Sequence, residues 1–117
     1  MANEFAQETM PGQDGRMVWK VKGRVDLLRA KYFYTRGETI LRDYPKIILD
    51  MTEMEYLSSS GVRALLRLMK FADKNGKEFV ARGAKGEVFK VLMAAGLNEL
   101  LGLQNIGHIQ YQGGLLN

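Results

Sequence analysis

The spacing of apolar and polar positions changes along the chain, and three stretches have the pattern of a β-strand. In MVWKVKG (17–23), Trp19 and Val21 alternate with lysines, which is typical of a strand with one exposed face. KIILDM (46–51) is a continuous, partly β-branched apolar run, as in a strand buried on both faces of a parallel sheet. KEFVARG (77–83) indicates another strand. The first is expected at or near a sheet edge, and the second at the centre.

Between these strands the apolar spacing becomes helical. Asp26 is a candidate N-cap for a helix that Pro45 ends, with a shared face formed by Leu27, Ala30, Tyr34 and Leu41. A second helix is predicted over 61–75, with an inward face formed by Val62, Leu65, Leu66, Met69 and Ala72. A third begins at Gly86, with an inward face formed by Val88, Val91, Leu92 and Ala95. LNELLGL (97–103) suggests a last helical turn, and IGHIQYQ (106–112) a short final strand.

This order of strands and helices predicts an α/β fold with right-handed crossovers. We expect one domain over residues 16–112, with a mostly parallel sheet of about four to five strands and three to four packed helices. Residues 1–15 show no apolar period and are predicted to be a flexible lead-in, and residues 113–117 a loose tail. A chain of 117 residues suits one such domain.

Composition narrows the classes of function. The chain has no cysteine, which excludes disulfides, thiolate metal sites and a thiol nucleophile, and favours a cytoplasmic location. The longest apolar run, from Val91 to Leu97, is far shorter than the roughly 20 residues that span a bilayer. The first residues include Glu4 and Glu8, unlike a secretory signal. The net charge of +4 allows an acidic partner without identifying one.

No motif for catalysis or cofactor binding is found. The serine hydrolase pattern G-x-S-x-G is absent, and the one histidine, His108, has no supporting motif. RGAKGE (82–87) places glycines and a lysine before a helix but lacks the spacing of a nucleotide-binding loop, so a turn is the simpler interpretation. We therefore expect a protein that is not an enzyme and that has no cofactor.

The segment YLSSSGV (56–62) places three serines between a predicted strand and a helix. One serine can cap the helix by accepting a hydrogen bond from a first-turn N–H group. A helix N-terminus also favours negative charge, so a second serine could carry a phosphate without unfolding the helix. The alternative is that all three serines only cap the helix and solvate the turn.

DMTEMEYLSSSG (50–61) resembles the signature of the STAS family, D-[LF]-S-x-[VM]-x-[FY]-[ILM]-D-S-S-G, to which the bacterial anti-sigma factor antagonists belong. The matching positions are Asp50, Met54, Tyr56, Leu57, Ser59, Ser60 and Gly61. GRVD (23–26) resembles the turn after the family's first long strand, and VFKVLMAAGLNELLGL (88–103) its third helix and the following residues. The resemblance covers about residues 16 to 111.

The resemblance implies that Ser59 is phosphorylated by a partner kinase, with Asp26, Asp50, Ser58, Ser60 and Gly61 around it. It implies a non-catalytic antagonist that binds an anti-sigma factor serine kinase, frees a sigma factor for transcription and is released by phosphorylation. At position 58 the family usually has an aspartate, and this chain has a serine. For Asp26 and Asp50, helix capping and strand-end solvation are the alternative roles.

A basic stripe follows the serines along the predicted second helix. Its members, spaced four, three and four residues apart, are Arg63, Arg67, Lys70 and Lys74. This spacing places them along one side of a helix, where they form either a docking surface for a partner or a solvated face.

Two rival functions remain open. One is an accessory STAS subunit of a membrane-associated lipid transport complex, which would need no phosphorylation. The other is nucleic-acid binding through the basic stripe, which we do not expect because the stripe lacks interleaved aromatic residues. Self-association is not determined by the sequence.

Overall fold

The computed structural model describes residues 4–102, which fold as the predicted α/β domain. The three helices are α1 (Leu27–Asp43), α2 (Ser59–Lys74) and α3 (Gly86–Ala94). The five strands are β1 (Ala6–Pro11), β2 (Met17–Val25), β3 (Lys46–Asp50), β4 (Met54–Leu57) and β5 (Glu78–Arg82). A single 3-10 turn, Gln13–Gly15, connects β1 to β2.

The sheet is mixed but mostly parallel. Its order is β1-β2-β3-β5, with β2, β3 and β5 parallel and β1 antiparallel to β2. Strand β4 pairs in parallel with the last residues of β2, after a register shift between Gly23 and Arg24. Strand β3 lies between β2 and β5, which confirms the prediction of a central strand. Strand β2 lies next to the edge strand β1, which agrees with its predicted position at or near a sheet edge.

Two strands lie where no strand was predicted. Strand β1 occupies part of the predicted flexible lead-in, and β4 part of the loop TEMEYL. The polar sequence AQETMP of β1 lacks apolar alternation, and the strand is held by backbone pairing to β2, by a Trp19 Nε1 hydrogen bond to Gln7 Oε1 (3.0 Å) and by a Glu8–Lys22 ion pair (3.1 Å). Strand β4 has only four residues, too few to show a period.

The C-terminal expectations are only partly covered by the described residues. After α3, the chain forms turns through residue 102, with Leu97 and Leu100 buried. The backbone N–H of Ala81 in β5 donates to the Leu100 carbonyl at 2.7 Å, which ties these turns to the sheet. The predicted final strand, His108 and the tail lie outside the described residues.

An aromatic pair forms the centre of the core. Trp19 of β2 and Phe33 of α1 are fully buried and stacked, with ring centroids 4.9 Å apart. Gly37 of α1 faces the same rings, and a Cβ there would lie 2.7 Å from Trp19 Cη2 and 2.6 Å from Leu68 Cδ1. Gly37 lowers helix propensity, but it is needed here because it lets α1 approach the sheet and α2 closely.

The buried faces of two helices differ from those predicted. In α1 the buried residues are Ala30, Phe33, Gly37, Ile40 and Leu41, whereas Leu27 is 71% exposed.

In α2 the buried residues are Gly61, Ala64, Leu65, Leu68 and Ala72. Leu66, predicted to face inward, is 38% exposed, and Val62 and Met69 are half-buried. The buried face of α2 is rotated because this helix packs against α1 as well as against the sheet. In α3, Val88 and Leu92 are buried as predicted, Val91 is half-buried and Ala95 is exposed.

This packing predicts unequal effects of two neighbouring leucines. Leu65→Ala should lower the free energy of unfolding by roughly 2 to 5 kcal/mol, because Leu65 is fully buried and its loss leaves a cavity. Leu66→Ala is the matched control and should cost about 1 kcal/mol or less, since much of that side chain is in water. Urea denaturation of the three proteins measures the difference, and equal losses would contradict this orientation of α2.

Candidate functional site

Two helix N-termini lie side by side at one end of the sheet. Strands β2 and β4 are parallel and end in register, with Val25 opposite Leu57. The next residues, Asp26 and Ser58, begin α1 and α2. The backbone N–H of Ser58 donates to the Val25 carbonyl at 2.9 Å, which joins the two strand-to-helix connections. The motif residues 56–61 and the GRVD turn are therefore neighbours in space.

Both connecting residues cap their helices through side-chain oxygens. Asp26 Oδ1 accepts a hydrogen bond from the Arg29 N–H at 2.9 Å, which confirms the predicted N-cap. Ser58 Oγ accepts one from the Gly61 N–H at 3.1 Å. The sequence left open which of the three serines caps α2, and the structure assigns the cap to Ser58.

Gly61 allows α2 to begin close against the ends of the strands. A Cβ at this position would lie 2.5 Å from Leu57 Cδ1 and 3.2 Å from Val25 Cγ1. A larger residue would require the Leu57 side chain or the first turn of α2 to shift. The glycine of the motif is therefore explained by packing, and it fixes the position of the serines before it.

The three serines have different surroundings. Ser58 is half-buried and engaged as the cap, whereas Ser59, the first residue of α2, is exposed. Ser60 is half-buried and lines a groove between α1 and α2. Ser59 is thus an exposed hydroxyl at a helix N-terminus, where the helix dipole and first-turn N–H groups favour an anion.

Asp26 carries negative charge next to this site. Its Oδ2 lies 3.2 Å from Arg29 Nη1. The hydrogen bond from the Arg29 backbone N–H holds the pKa of Asp26 below its ordinary value, partly opposed by burial and assisted by the Arg29 charge. Asp26 is therefore an ionised cap.

Asp50, the other acidic residue of the motif, is directed elsewhere. Its Oδ1 accepts hydrogen bonds from the Thr52 N–H (2.9 Å) and Thr52 Oγ1–H (2.7 Å), and its Oδ2 lies 3.7 Å from Arg82 Nη2. Burial alone would raise the pKa of Asp50, but the Thr52 bonds and the charges of Arg82 and Lys20 outweigh it and lower the pKa. Its contacts hold the turn between β3 and β4 and involve none of the serines.

The basic stripe is exposed along its whole length, and its members have different neighbours. The Arg67 guanidinium lies over the ring of Tyr34 on α1, 4.3 Å from the ring centroid. Arg63 and Arg67 also line the groove between α1 and α2, together with Lys31 of α1. Lys70 and Lys74 are not among the lining residues of that groove. The sequence analysis did not single out Lys31 and placed Tyr34 only on the apolar face of α1, because their position beside the stripe follows from the packing of α1 on α2.

A second cation–aromatic pair lies beside the serines. The Arg24 guanidinium of β2 is 4.2 Å from the centroid of Tyr56, the motif tyrosine on β4. The two residues are register partners in the β2–β4 pairing, which explains the contact. Sequence patterns alone could not pair them because β4 was not recognised as a strand.

Within residues 4–102, no helix has the length and apolar character needed to cross a membrane. In the same part of the chain, aspartate and glutamate side chains form no cluster of three that could hold a metal ion.

Comparison with known proteins identifies the family to which this fold belongs. The family model of the STAS domain matches residues 8–109, which is most of the chain, so the chain belongs to the STAS domain family. An anti-sigma factor antagonist from Mycobacterium paratuberculosis is similar in structure, with a TM-score of 0.73 and 21% identity over 85% of this chain and 84% of that one.

Two further solved structures share the fold but belong to chains of very different length. Phosphorylated Bacillus SpoIIAA, a cell fate determinant, gives a TM-score of 0.65 with 18% identity over 81% of this chain and 87% of that one. The murine solute carrier 26 family member A9 anion transporter gives 0.65 with 14% identity, covering 84% of this chain but 19% of that one. At such low identities these likenesses show the fold.

The capping geometry predicts the effect of changes at position 58. Ser58→Ala removes the acceptor for the Gly61 N–H and should lower the free energy of unfolding by about 1 kcal/mol. Ser58→Asp retains a capping oxygen and adds charge at the positive end of the helix, so stability should change by about half a kcal/mol or less. Thermal or urea unfolding distinguishes the two, and an equal loss in both variants would contradict the cap.

Asp50 should contribute to the pH dependence of stability. Because its pKa is lower in the folded than in the unfolded chain, its stabilisation is complete above about pH 4 and is lost as the pH falls through the folded pKa. Asp50→Asn removes this titration, so its free energy of unfolding should fall less with acidification than that of the wild type. Denaturant titrations at a series of acidic pH values test this, and parallel curves would contradict it.

Proposed function

We propose that this protein is a non-catalytic anti-sigma factor antagonist that binds an anti-sigma factor serine kinase and is switched off by phosphorylation of Ser59. Membership of the STAS domain family and structural likeness to the antagonist from Mycobacterium paratuberculosis and to SpoIIAA, also an anti-sigma factor antagonist, support the general role. ATP is the substrate of the kinase, and the chain itself needs no cofactor. Binding would act on transcription by freeing a sigma factor.

The arrangement of the serines is the observation that carries this proposal. Ser58 is occupied as the N-cap, while Ser59 presents its hydroxyl to solvent at the start of α2. A kinase can reach such a hydroxyl without unfolding the helix. A phosphate on the first residue of a helix also meets the favourable end of the helix dipole, so the fold is preserved.

The switch would act through surface charge. Phosphorylation adds about −1.5 to −2 charge units to Ser59. Burying that charge against the partner is unfavourable because the phosphate loses its hydration. The charge also changes the electrostatic field around Arg63, at the end of the basic stripe nearest Ser59. In this proposal Asp26, Ser60 and Gly61 shape the site, while Asp50 holds the turn before β4. Arg63 and Arg67 dock the partner, and Lys70 and Lys74 form the solvated part of the stripe.

Ser58 makes the charge at this site differ from that of the usual family motif. A carboxylate at position 58 would repel a phosphate at position 59 by about 1 kcal/mol or more, depending on the local dielectric. With a neutral cap, the phosphorylated form has less local repulsion, while the kinase loses an acidic group for recognition. The rate of phosphorylation should therefore change in Ser58→Asp even though folding stability does not.

The experiment captures partners from an extract of the native cell on immobilised wild type, Ser59→Ala and Ser59→Asp. Wild type and Ser59→Ala should capture a kinase-like protein, and Ser59→Asp should capture about tenfold less, as expected if a charged group is buried unpaired at the interface. With ATP present, mass spectrometry should locate phosphate on Ser59, and Ser59→Ala should stay bound.

Thr9→Ala serves as the matched control, because it removes an exposed hydroxyl on β1, opposite Trp19 and outside the proposed site. It should behave like the wild type. Phosphate found only on Ser58 or Ser60, or equal capture by all variants, would refute the switch at Ser59. Capture of transporter subunits would instead support an accessory role in membrane transport, and capture of nucleic acid a role for the stripe in binding it.

A further inference from the structure

Helices α1 and α2 leave a groove between them that carries positive charge on both sides. Its floor is formed by Ala30 and Ala64, two buried small residues, one from each helix. Lys31 of α1 lies on one wall, and Arg63 and Arg67 of α2 lie on the other. The groove therefore combines an apolar floor with cationic walls.

Within residues 4–102, the cations of this groove form no ion pair with an acidic side chain. None of the residues that line it is acidic. Among residues 4–102, ion pairs within 4.0 Å involve other cations, such as Arg29, Arg42 and Lys90, and not Lys31, Arg63 or Arg67. Unpaired like charges on two facing helices repel one another, so a negatively charged occupant would stabilise this surface.

A contact between the two helices spans the groove. Arg67 is held over the Tyr34 ring at 4.3 Å, and this contact connects the two helices across the groove. A side chain held in this way loses less entropy on binding than a free one. By contrast, Lys70 and Lys74 lie further along α2, outside the groove.

We propose that this groove binds an acidic, partly apolar segment of a protein partner, with carboxylates on Lys31 and Arg63 and an apolar side chain over Ala30 and Ala64. A chain segment can lie along this shallow depression and reach both its alanines and its cations, whereas a flat lipid surface would contact only the protruding side chains. Base stacking is disfavoured because Tyr34 already has Arg67 on its ring. Residues 1–3 and 103–117 contain no acidic side chain, which favours a partner over these segments as the source of an acidic occupant.

The groove also deepens the proposed function. Two groove residues of α2 are close to Ser59. Ser60 is the next residue, and Arg63 lies one turn further along the helix. A phosphate on Ser59 would therefore compete with the acidic segment for the same cations. This regulatory step, and the identity of the partner as the anti-sigma factor kinase, rest on the proposed function, whereas the preference of the groove for an acidic segment does not.

The test measures fluorescence anisotropy of a labelled peptide rich in glutamate with a central leucine, at low salt. Its glutamine counterpart is the neutral probe and should not bind. The double variant Lys31→Gln/Arg63→Gln should weaken binding of the acidic peptide about fivefold, the sum expected for two exposed ion pairs. Arg67 is left intact because its loss would also remove the contact with Tyr34.

Lys70→Gln/Lys74→Gln is the matched control, since it removes the same net charge from the same stripe outside the groove. It should weaken binding less than about twofold, and circular dichroism melts should show all variants folded. Equal weakening by the two double variants would overturn the proposal, because binding would then follow net charge alone. Tighter groove-dependent binding to phosphatidylglycerol vesicles or single-stranded DNA, or a groove-dependent dimer in sedimentation, would also overturn it.

The same assay separates this proposal from the proposed function. Ser59→Asp should weaken binding of the acidic peptide, because its charge lies at one end of the groove. Peptide binding that depends on Lys31 and Arg63, without capture of a kinase from the extract, would support the groove and refute the antagonist role. Kinase capture unaffected by Lys31→Gln/Arg63→Gln would support the antagonist role and refute the groove as the docking site.

Discussion

The arrangement of this domain depends on the junction where β2 and β4 end together. The Ser58 N–H to Val25 carbonyl hydrogen bond joins the two connections, and Gly61 allows α2 to start in contact with Val25 and Leu57. Because both strands are parallel and in register, both helices start at the same edge of the sheet. Two N-caps and the exposed Ser59 therefore lie close together, as a consequence of strand pairing rather than of sequence proximity.

The core keeps the two helices at a fixed separation behind this junction. Phe33 of α1 stacks on Trp19 of β2. Gly37 has no side chain that would hold α1 away from Trp19 and Leu68. The resulting close packing of α1 on α2 determines the depth of the groove between them and brings Tyr34 beneath a cation of α2. A glycine that is unfavourable for an isolated helix is thus required by the tertiary packing.

The two aspartates of the recognised motifs show how similar residues take different roles. Asp26 caps α1 beside the serines, whereas Asp50 is bound by Thr52 and Arg82 at the turn after β3. Both have lowered pKa values, and in both the main contributions that lower the pKa include hydrogen bonds from nearby backbone N–H groups. The acidic cap beside the serines therefore comes from the other helix start, and the cap of α2 itself is neutral.

The sequence by itself determined the α/β class, the central strand KIILDM, the cap at Asp26 and the family motif, because these depend on local periodicity, capping chemistry and residue order. It failed for β1 and β4, which are held by pairing with β2 and lack an apolar period. It also misplaced Leu66, because the buried face of α2 depends on α1. Only the tertiary structure decided which serine caps α2 and which cations form a groove, since both follow from contacts between elements distant in sequence.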